Sequence, residues 1–187
     1  MQRARRDGWR SRAVYKLQQI DQKEKLLRPG MFCIDLGAAP GGWSQYVTEQ
    51  LHGRTRIIAV DLLDMDALPG VEFVQGDFSD EAVLASLRKT IGAARVDLVM
   101  SDIAPNITGH RAVDQPRSMY LAELALDFSR QILATGGAFV CKLFQGEGVD
   151  EFVADARHSF ERVKLVKPRA SRPGSREVYL VARNYRL

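Results

Sequence analysis

The sequence predicts an α/β protein: a seven-stranded, mostly parallel sheet with one antiparallel strand and helices on both faces. Two observations carry this. Short continuous apolar runs alternate with amphipathic segments of helical period, the pattern of strands buried on both sides beneath crossover helices. The last two β segments have no helix between them, so they pair as an antiparallel hairpin.

In chain order, residues 11–25 read as a helix opened by Ser11, with Val14, Leu17 and Ile20 on one face. MFCIDL, 31–36, follows the Pro29-Gly30 turn as a buried strand. A helix starts near Gly42 and runs through Tyr46, Val47 and Leu51. RIIAVDLL gives a second strand ending at Asp61, and VEFVQGD a short third one ending near Asp77. Residues 80–91 are helical, with Val83, Leu84, Leu87 and Ile91 in register. VDLVMSD, 96–102, is the fourth strand; a long loop through Pro105, Asn106 and Gly109 leads to a helix over 118–133. GGAFVCKLF, 136–144, is the fifth strand, 149–160 a helix, and VKLVKP and EVYLVA the closing hairpin. Ligands of such sheets bind beyond the carboxyl ends of the strands. Asp35, Asp61, Asp77, Asp102 and Lys142 all fall at those ends.

The chain has 187 residues, 45% of them apolar, which fits one compact domain, 1–187, with 1–12 as a basic N-terminal arm. No run approaches the roughly 18 apolar residues of a membrane span, and no apolar segment follows MQRARRDGWRSR as a secretory signal requires. Asp7 and the immediate helical pattern speak against a mitochondrial presequence. The expectation is a cytoplasmic monomer. Cys33 and Cys141 sit inside apolar runs and read as small core residues in a reducing compartment. The three histidines have no ligand spacing, so no metal is expected. The net charge of +4 hides an asymmetry. Arg3, Arg5, Arg6, Arg10 and Arg12 face only Asp7 in the arm, and 162–176 holds six cations and no acid. If the fold joins those ends, they make a polyanion-binding face; otherwise they are a solvated terminus and loop.

IDLGAAPGGWSQ, 34–45, joins the first strand to its helix through Gly37, Gly41 and Gly42. Glycines let the backbone approach a ligand, and the helix N-terminus offers free N–H groups. The spacing is neither the dinucleotide fingerprint nor a P-loop. Asp61, 24 residues after Gly37, can accept both hydroxyls of a ribose. Asp77, with Phe78 beside it, can accept from the exocyclic amine of adenine. Each acid alone also fits an ordinary turn or cap, and Asp80 is the better cap of its pair. Together they fit an adenosine ligand without a pyrophosphate.

DLGAAPGGWSQ, SDIAPN, KLFQGEG and SREVY, in this order and spacing, resemble the FtsJ-type (RlmE or RrmJ) large-subunit ribosomal RNA 2′-O-ribose methyltransferases, from about Ser11 to Ala182. The resemblance implies the class I methyltransferase (Rossmann-like) fold and S-adenosyl-L-methionine as cofactor. It implies cofactor contacts at Gly41, Trp43, Asp61, Asp77 and Asp102, beside the Gly37 of the turn. It implies catalytic residues at Lys16 in RAVYKL, Asp102, Lys142 in CKLFQG and Glu177. The implied substrate is ribosomal RNA within the large subunit, at a uridine.

The chemistry explains the residue types. Methylating a ribose 2′-OH is an in-line displacement by a poor nucleophile, which needs a base and stabilisation of oxyanion charge. A lysine serves as base only when neutral; from an ordinary pKa near 10.4 that costs roughly 4.6 kcal/mol at pH 7. Burial and a second ammonium lower the cost, whereas carboxylates favour the charged form. The expected roles are Lys142 as base or hydroxyl-orienting group, Lys16 as the oxyanion-side cation, Asp102 to position Lys142, and Glu177 to hold the lysine pair. Without the resemblance, Lys16 reads as a solvent residue, Glu177 as a partner of Arg172 or Arg176, and Asp102 as a strand-ending turn. Trp9, Arg10, Arg12, 106–117 and 169–176 should form a basic rim for phosphates. The rival readings are methylation of transfer RNA or a cap, a non-catalytic RNA-binding assembly factor, and a nicotinamide-dependent oxidoreductase, which the glycine spacing opposes.

Overall fold

A computed structural model describes residues 2–187, in the element order α1 (Gln2–Arg6), α2 (Val14–Glu24), β1 (Met31–Leu36), α3 (Gly42–Gln50), β2 (Thr55–Asp61), β3 (Val71–Gln75), α4 (Glu81–Ile91), β4 (Val96–Ser101), α5 (Arg111–Ile132), β5 (Leu133–Phe144), α6 (Val149–Ser159), β6 (Phe160–Val166) and β7 (Glu177–Tyr185). The seven strands form one sheet in the order β3-β2-β1-β4-β5-β7-β6. Strands β1 to β5 pair in parallel, and β7 lies antiparallel to both β5 and β6. The expected single antiparallel strand is β7, slotted between its two neighbours.

Both faces of the sheet are covered. Ile34, Leu36, Ile58, Val60, Val99 and Phe139 pack with α4, α5 and α6. Cys33, Ile57, Leu98, Val140 and Val181 pack with Leu17 and Ile20 of α2 and Tyr46 and Val47 of α3. Alternate residues of each strand feed opposite cores, which is why the runs are apolar throughout. Cys33 and Cys141 are free and buried, and burial pushes each thiol up to about 12. Among the described residues no helix is long and apolar enough to cross a membrane, and no group of three or more His, Cys, Asp or Glu is placed to hold a metal.

Three boundaries depart from the sequence reading. The arm carries the short helix α1. Helix α2 begins at Val14, not Ser11: its N-cap is Ala13, and the Ser11 side chain lies against Gly42, where an added Cβ would meet Ser11 Oγ at 2.5 Å. Helix α5 begins at Arg111 and contains Pro116, seven residues ahead of the expected start at 118. Asp114 in its first turn accepts from Thr108 N and Oγ1 and Gly109 N at 2.8–3.0 Å, so a side chain caps the preceding loop and the helix tolerates the proline.

Asp80, extended at the N-cap of α4, accepts from Ala82 N at 3.0 Å. Asp80→Ala should lower stability by about 1 kcal/mol, read as a lower urea midpoint with an unchanged slope.

Candidate active site

The strand ends bring the expected charged groups together. Antiparallel pairing sets Lys142 opposite Tyr179 and Phe144 opposite Glu177. With a period of two along the strands, Lys142, Tyr179 and Glu177 therefore share one face, the face that α2 covers. From α2, Lys16 Nζ donates to Glu177 Oε2 at 2.7 Å. From the end of β4, Asp102 Oδ1 stands 3.4 Å from Lys142 Nζ and accepts from the Tyr179 hydroxyl at 2.7 Å. The side chains of Lys142 and Asp102 are only 9% and 16% exposed, and those of Lys16 and Glu177 18% and 20%. Burial opposes the charge of Glu177, but the Lys16 hydrogen bond and the fields of Lys142, Lys16 and Arg172 outweigh it and hold the carboxyl below its usual range. Lys142 thus acts electrostatically on Glu177 while touching Asp102. Each ammonium has its own carboxylate, which differs from a Glu177 that holds both lysines.

Next to this cluster is a cavity of about 430 Å³ whose lining includes Gly37, Asp61, Asp77, Phe78, Asp102 and Asn106. Val60, Leu62, Leu63, Pro105 and Leu121 supply apolar walls. The Asp61 carboxylate already works on the backbone: Oδ2 accepts from Ala39 N at 2.9 Å and Oδ1 from Leu63 N at 2.8 Å. It fixes the glycine turn and keeps further lone pairs for a ligand. Asp77 Oδ1 accepts from Ser79 N and Oγ at 2.8 and 2.6 Å, and these bonds hold its carboxyl below the usual range. Among the described residues only Oδ1 is engaged, so Oδ2 is available. A concave site with a few placed acceptors and apolar walls suits a nucleoside.

Gly41 and Trp43, also expected at the cofactor, do not line this cavity. The missing Cβ of Gly41, at φ +111, leaves room for Arg10, Met65 and Leu68. Trp43 is buried; its Nε1 donates to Ala13 O at 2.8 Å and its ring lies 5.7 Å from that of Tyr179, so it holds α3 to the start of α2.

The basic rim is redrawn too. Arg10 donates to Pro40 O, Asp66 O and Ala67 O at 3.2, 2.6 and 2.8 Å, which spends its guanidinium on a clasp between the arm and the loop beyond β2. Trp9 packs on Tyr46, ring centroids 6.0 Å apart. Neither lines the basic hollows. Arg12 lines one of about 660 Å³ with Lys16, Arg172 and Glu177, and a second of about 720 Å³ with Arg3, Arg6 and Arg169. The two basic segments of the sequence do meet here.

Two contributors escaped the sequence reading, and a third, Asp35, was read only as a strand-end acid. Tyr179 was signalled by alternation, two residues from Glu177. Gln115, buried on α5, donates from Nε2 to Phe144 O and Glu147 O at 2.8 and 3.0 Å. Its Oε1 accepts from Arg176 Nη1 at 3.5 Å, which also donates to Gln145 O at 3.3 Å. Gln115 therefore fastens the loop that follows Lys142 to the segment that precedes Glu177. Asp35 is wholly buried behind the glycine turn, with Ser44 Oγ donating to its Oδ2 at 2.7 Å. Burial, opposed by Ser44 and assisted by the charges of Asp102 and Asp61, pushes its carboxyl up to about 7.

With this geometry in view, the comparisons with known proteins decide the family. Residues 9–185 match the FtsJ-like methyltransferase family. The chain belongs to it. A Plasmodium falciparum protein provisionally named a ribosomal RNA methyltransferase has a similar structure: TM-score 0.86 at 29% identity, over 95% of this chain and 98% of that one. Human methyltransferase-like protein 13, solved in complex with SAH, superposes with TM-score 0.61 at 18% identity over 92% of this chain and 80% of that one. A Lactococcus lactis protein provisionally named a hemolysin gives 0.67 at 17% over 92% and 86%. These last two likenesses are of fold. The FtsJ-like chain is thus a class I methyltransferase in architecture and family, with S-adenosylmethionine as its methyl donor.

The raised Asp35 carboxyl predicts a pH effect. Its folded value lies above the unfolded one, so its contribution is present below about pH 4 and is lost as pH rises through about 7. Asp35→Asn keeps an acceptor for Ser44 and removes the charge. Relative to the wild type, the variant should gain stability progressively as pH rises from about 4 to about 7, by up to about 4 kcal/mol, and hold that gain above. Parallel curves of unfolding free energy against pH would contradict this.

Proposed function

We propose that this FtsJ-like methyltransferase transfers a methyl group to the ribose 2′-OH of a uridine in large-subunit ribosomal RNA, with Lys142, Lys16, Asp102 and Glu177 as its catalytic residues. The observation that carries the reading is the pair of half-buried contacts, Lys142 to Asp102, whose carboxylate lines the adenosine-sized cavity, and Lys16 to Glu177, which line the neighbouring basic hollow. Bound S-adenosylmethionine supplies a methyl group on a sulfonium, activated for displacement. Asp61 would accept from the ribose hydroxyls of the cofactor and Asp77 from its adenine amine, with Gly37 at the turn. The cavity's size and its free acceptors support that fit.

The protein's own groups handle the hydroxyl. Lys142, as the ammonium paired with Asp102, orients the oxygen for in-line attack while the hydroxyl proton leaves to water; to take that proton itself it first gives one of its own to water. Asp102 sets Lys142 and, through Oδ1, is itself set by Tyr179. Lys16 places positive charge where the oxygen becomes anionic, and Glu177 keeps that ammonium pointed at the site. Gly41 and Trp43 shape the turn from behind. The hollows lined by Arg12, Arg172 and Arg169 support an RNA that approaches across α2, held by its phosphates. The resemblance to the Plasmodium protein, itself provisionally a ribosomal RNA methyltransferase, favours ribosomal RNA over other targets.

Labelled methyl donor, purified protein and large ribosomal subunits test the reading. Lys142→Ala should reduce transfer by at least about a hundredfold and leave cofactor affinity nearly unchanged. Asp61→Ala should instead weaken cofactor binding first, about tenfold or more for the loss of hydrogen bonds to a charged acceptor. A reversal of the two phenotypes would overturn the assignments.

A further inference from the structure

Far from the proposed site, a second set of cations outnumbers the carboxylates among it, five to two. Strand β7 begins at the site with Glu177 and runs away from it, so Arg183, six residues on, lies about 20 Å away along the strand. There Arg157, Arg162, Lys164, Arg183 and Arg186 surround a hollow of about 400 Å³ whose floor includes Glu24. Arg162 and Arg183 are direct cross-strand partners on β6 and β7, an arrangement in which like charges repel.

The two acids nearby are already taken. Glu24, buried at the end of α2, pairs with Lys164 Nζ at 2.5 Å, and Glu161 accepts from Asn184 Nδ2 at 3.1 Å. Arg183 donates to the main-chain carbonyl of Glu24, and Arg186 to those of Arg157 and Phe160 at 3.5 and 3.0 Å. Those bonds fix two guanidinium groups in place without neutralising them. The Arg157 and Arg162 side chains are exposed and have no hydrogen-bond or ion-pair partner among the described residues. Four positioned or free guanidinium forks around one hollow, set against the single carboxylate, Glu161, that has no ion-pair partner among the described residues, form a receptor for anionic oxygens. Leu165 is the one large apolar side chain exposed on β6, so a protein partner would find little to bury.

We propose that this hollow is a second RNA contact, which grips phosphates of the folded substrate about 20 Å from the nucleotide that is methylated. The proposal rests on the reading of the substrate as a large RNA and extends it: a target of a few nucleotides engages only the α2 side, whereas a folded ribosomal RNA engages both. The methyltransferase then gains affinity for its substrate from a surface that takes no part in the chemistry.

Arg157→Glu combined with Arg162→Glu tests it, since neither side chain supports the fold; Arg157→Gln with Arg162→Gln is the milder control. Binding of deproteinised large-subunit RNA is measured across a salt series, alongside binding of a short oligonucleotide. The charge-reversed protein should bind the large RNA at least about tenfold more weakly near 0.15 M salt, with a salt slope shallower by roughly 1.5 to 2. The neutral variant should fall between it and the wild type. Oligonucleotide affinity, cofactor affinity and turnover at saturating RNA should not change. Unchanged affinity and slope for the large RNA would overturn the proposal. So would a loss seen only with protein-containing subunits, which would assign the hollow to an acidic protein. A wild type that methylates no large-subunit RNA would sink the substrate reading instead; the binding comparison still decides the hollow, because it reads phosphate affinity and not turnover.

Discussion

The charge cluster exists because β7 runs the wrong way. Were it parallel like its neighbours, Glu177 would start at the far end of the sheet. Inserted antiparallel between β5 and β6, it begins where β4 and β5 end and sets Glu177 and Tyr179 beside Lys142. Helix α2 crosses that face and brings Lys16. Two ammonium and two carboxylate groups then share a partly buried space. Such an arrangement holds together only as a set: removal of one member of a buried ion pair leaves a desolvated charge and typically costs 3–5 kcal/mol. Gln115 and Arg176 lace the loops on either side of the set, so the positions of Lys142 and Glu177 are fixed by main-chain carbonyls as well as by their partners.

The arm and the cavity are mechanically joined. Arg10 stitches the arm to the carbonyls of Pro40, Asp66 and Ala67, and Asp61 ties the same turn to the end of β2. Arg3, Arg6 and Arg12 of the arm line the hollow beyond Lys16. On the proposed reading, a phosphate held there would rest on an element anchored at the glycine turn, which would bring RNA and cofactor to one short stretch of chain.

Much of this was legible in the residues. Apolar strands alternating with helices dictated the sheet, and the helix-free final pair foretold the antiparallel strand. That Lys16, Asp102, Lys142 and Glu177 lie together, with Asp102 at Lys142, followed from the motif resemblance; that Glu177 touches Lys16 alone did not, because it depends on the β5–β7 register. Arg10 and Trp9 looked like ligand groups since a sequence shows charge and aromaticity but not the carbonyls or rings that will occupy them. Gln115 stayed hidden for a related reason. A proline next to it masked the start of α5, and the Asp114 cap that permits the helix bonds to a loop, not to a periodic pattern. Asp35 was visible at a strand end, yet only burial behind the turn reveals how its charge is disfavoured.

On the proposed mechanism the lysine–carboxylate cluster directs a methyl group to a ribose oxygen. The most direct measurement is the position of the label in the product. Large-subunit RNA treated with the wild-type protein and isotopically labelled S-adenosylmethionine would be digested to nucleosides and separated by mass. The account predicts label in 2′-O-methyluridine and none on a base. Label on a ring carbon or nitrogen, or in no nucleoside at all, would contradict it.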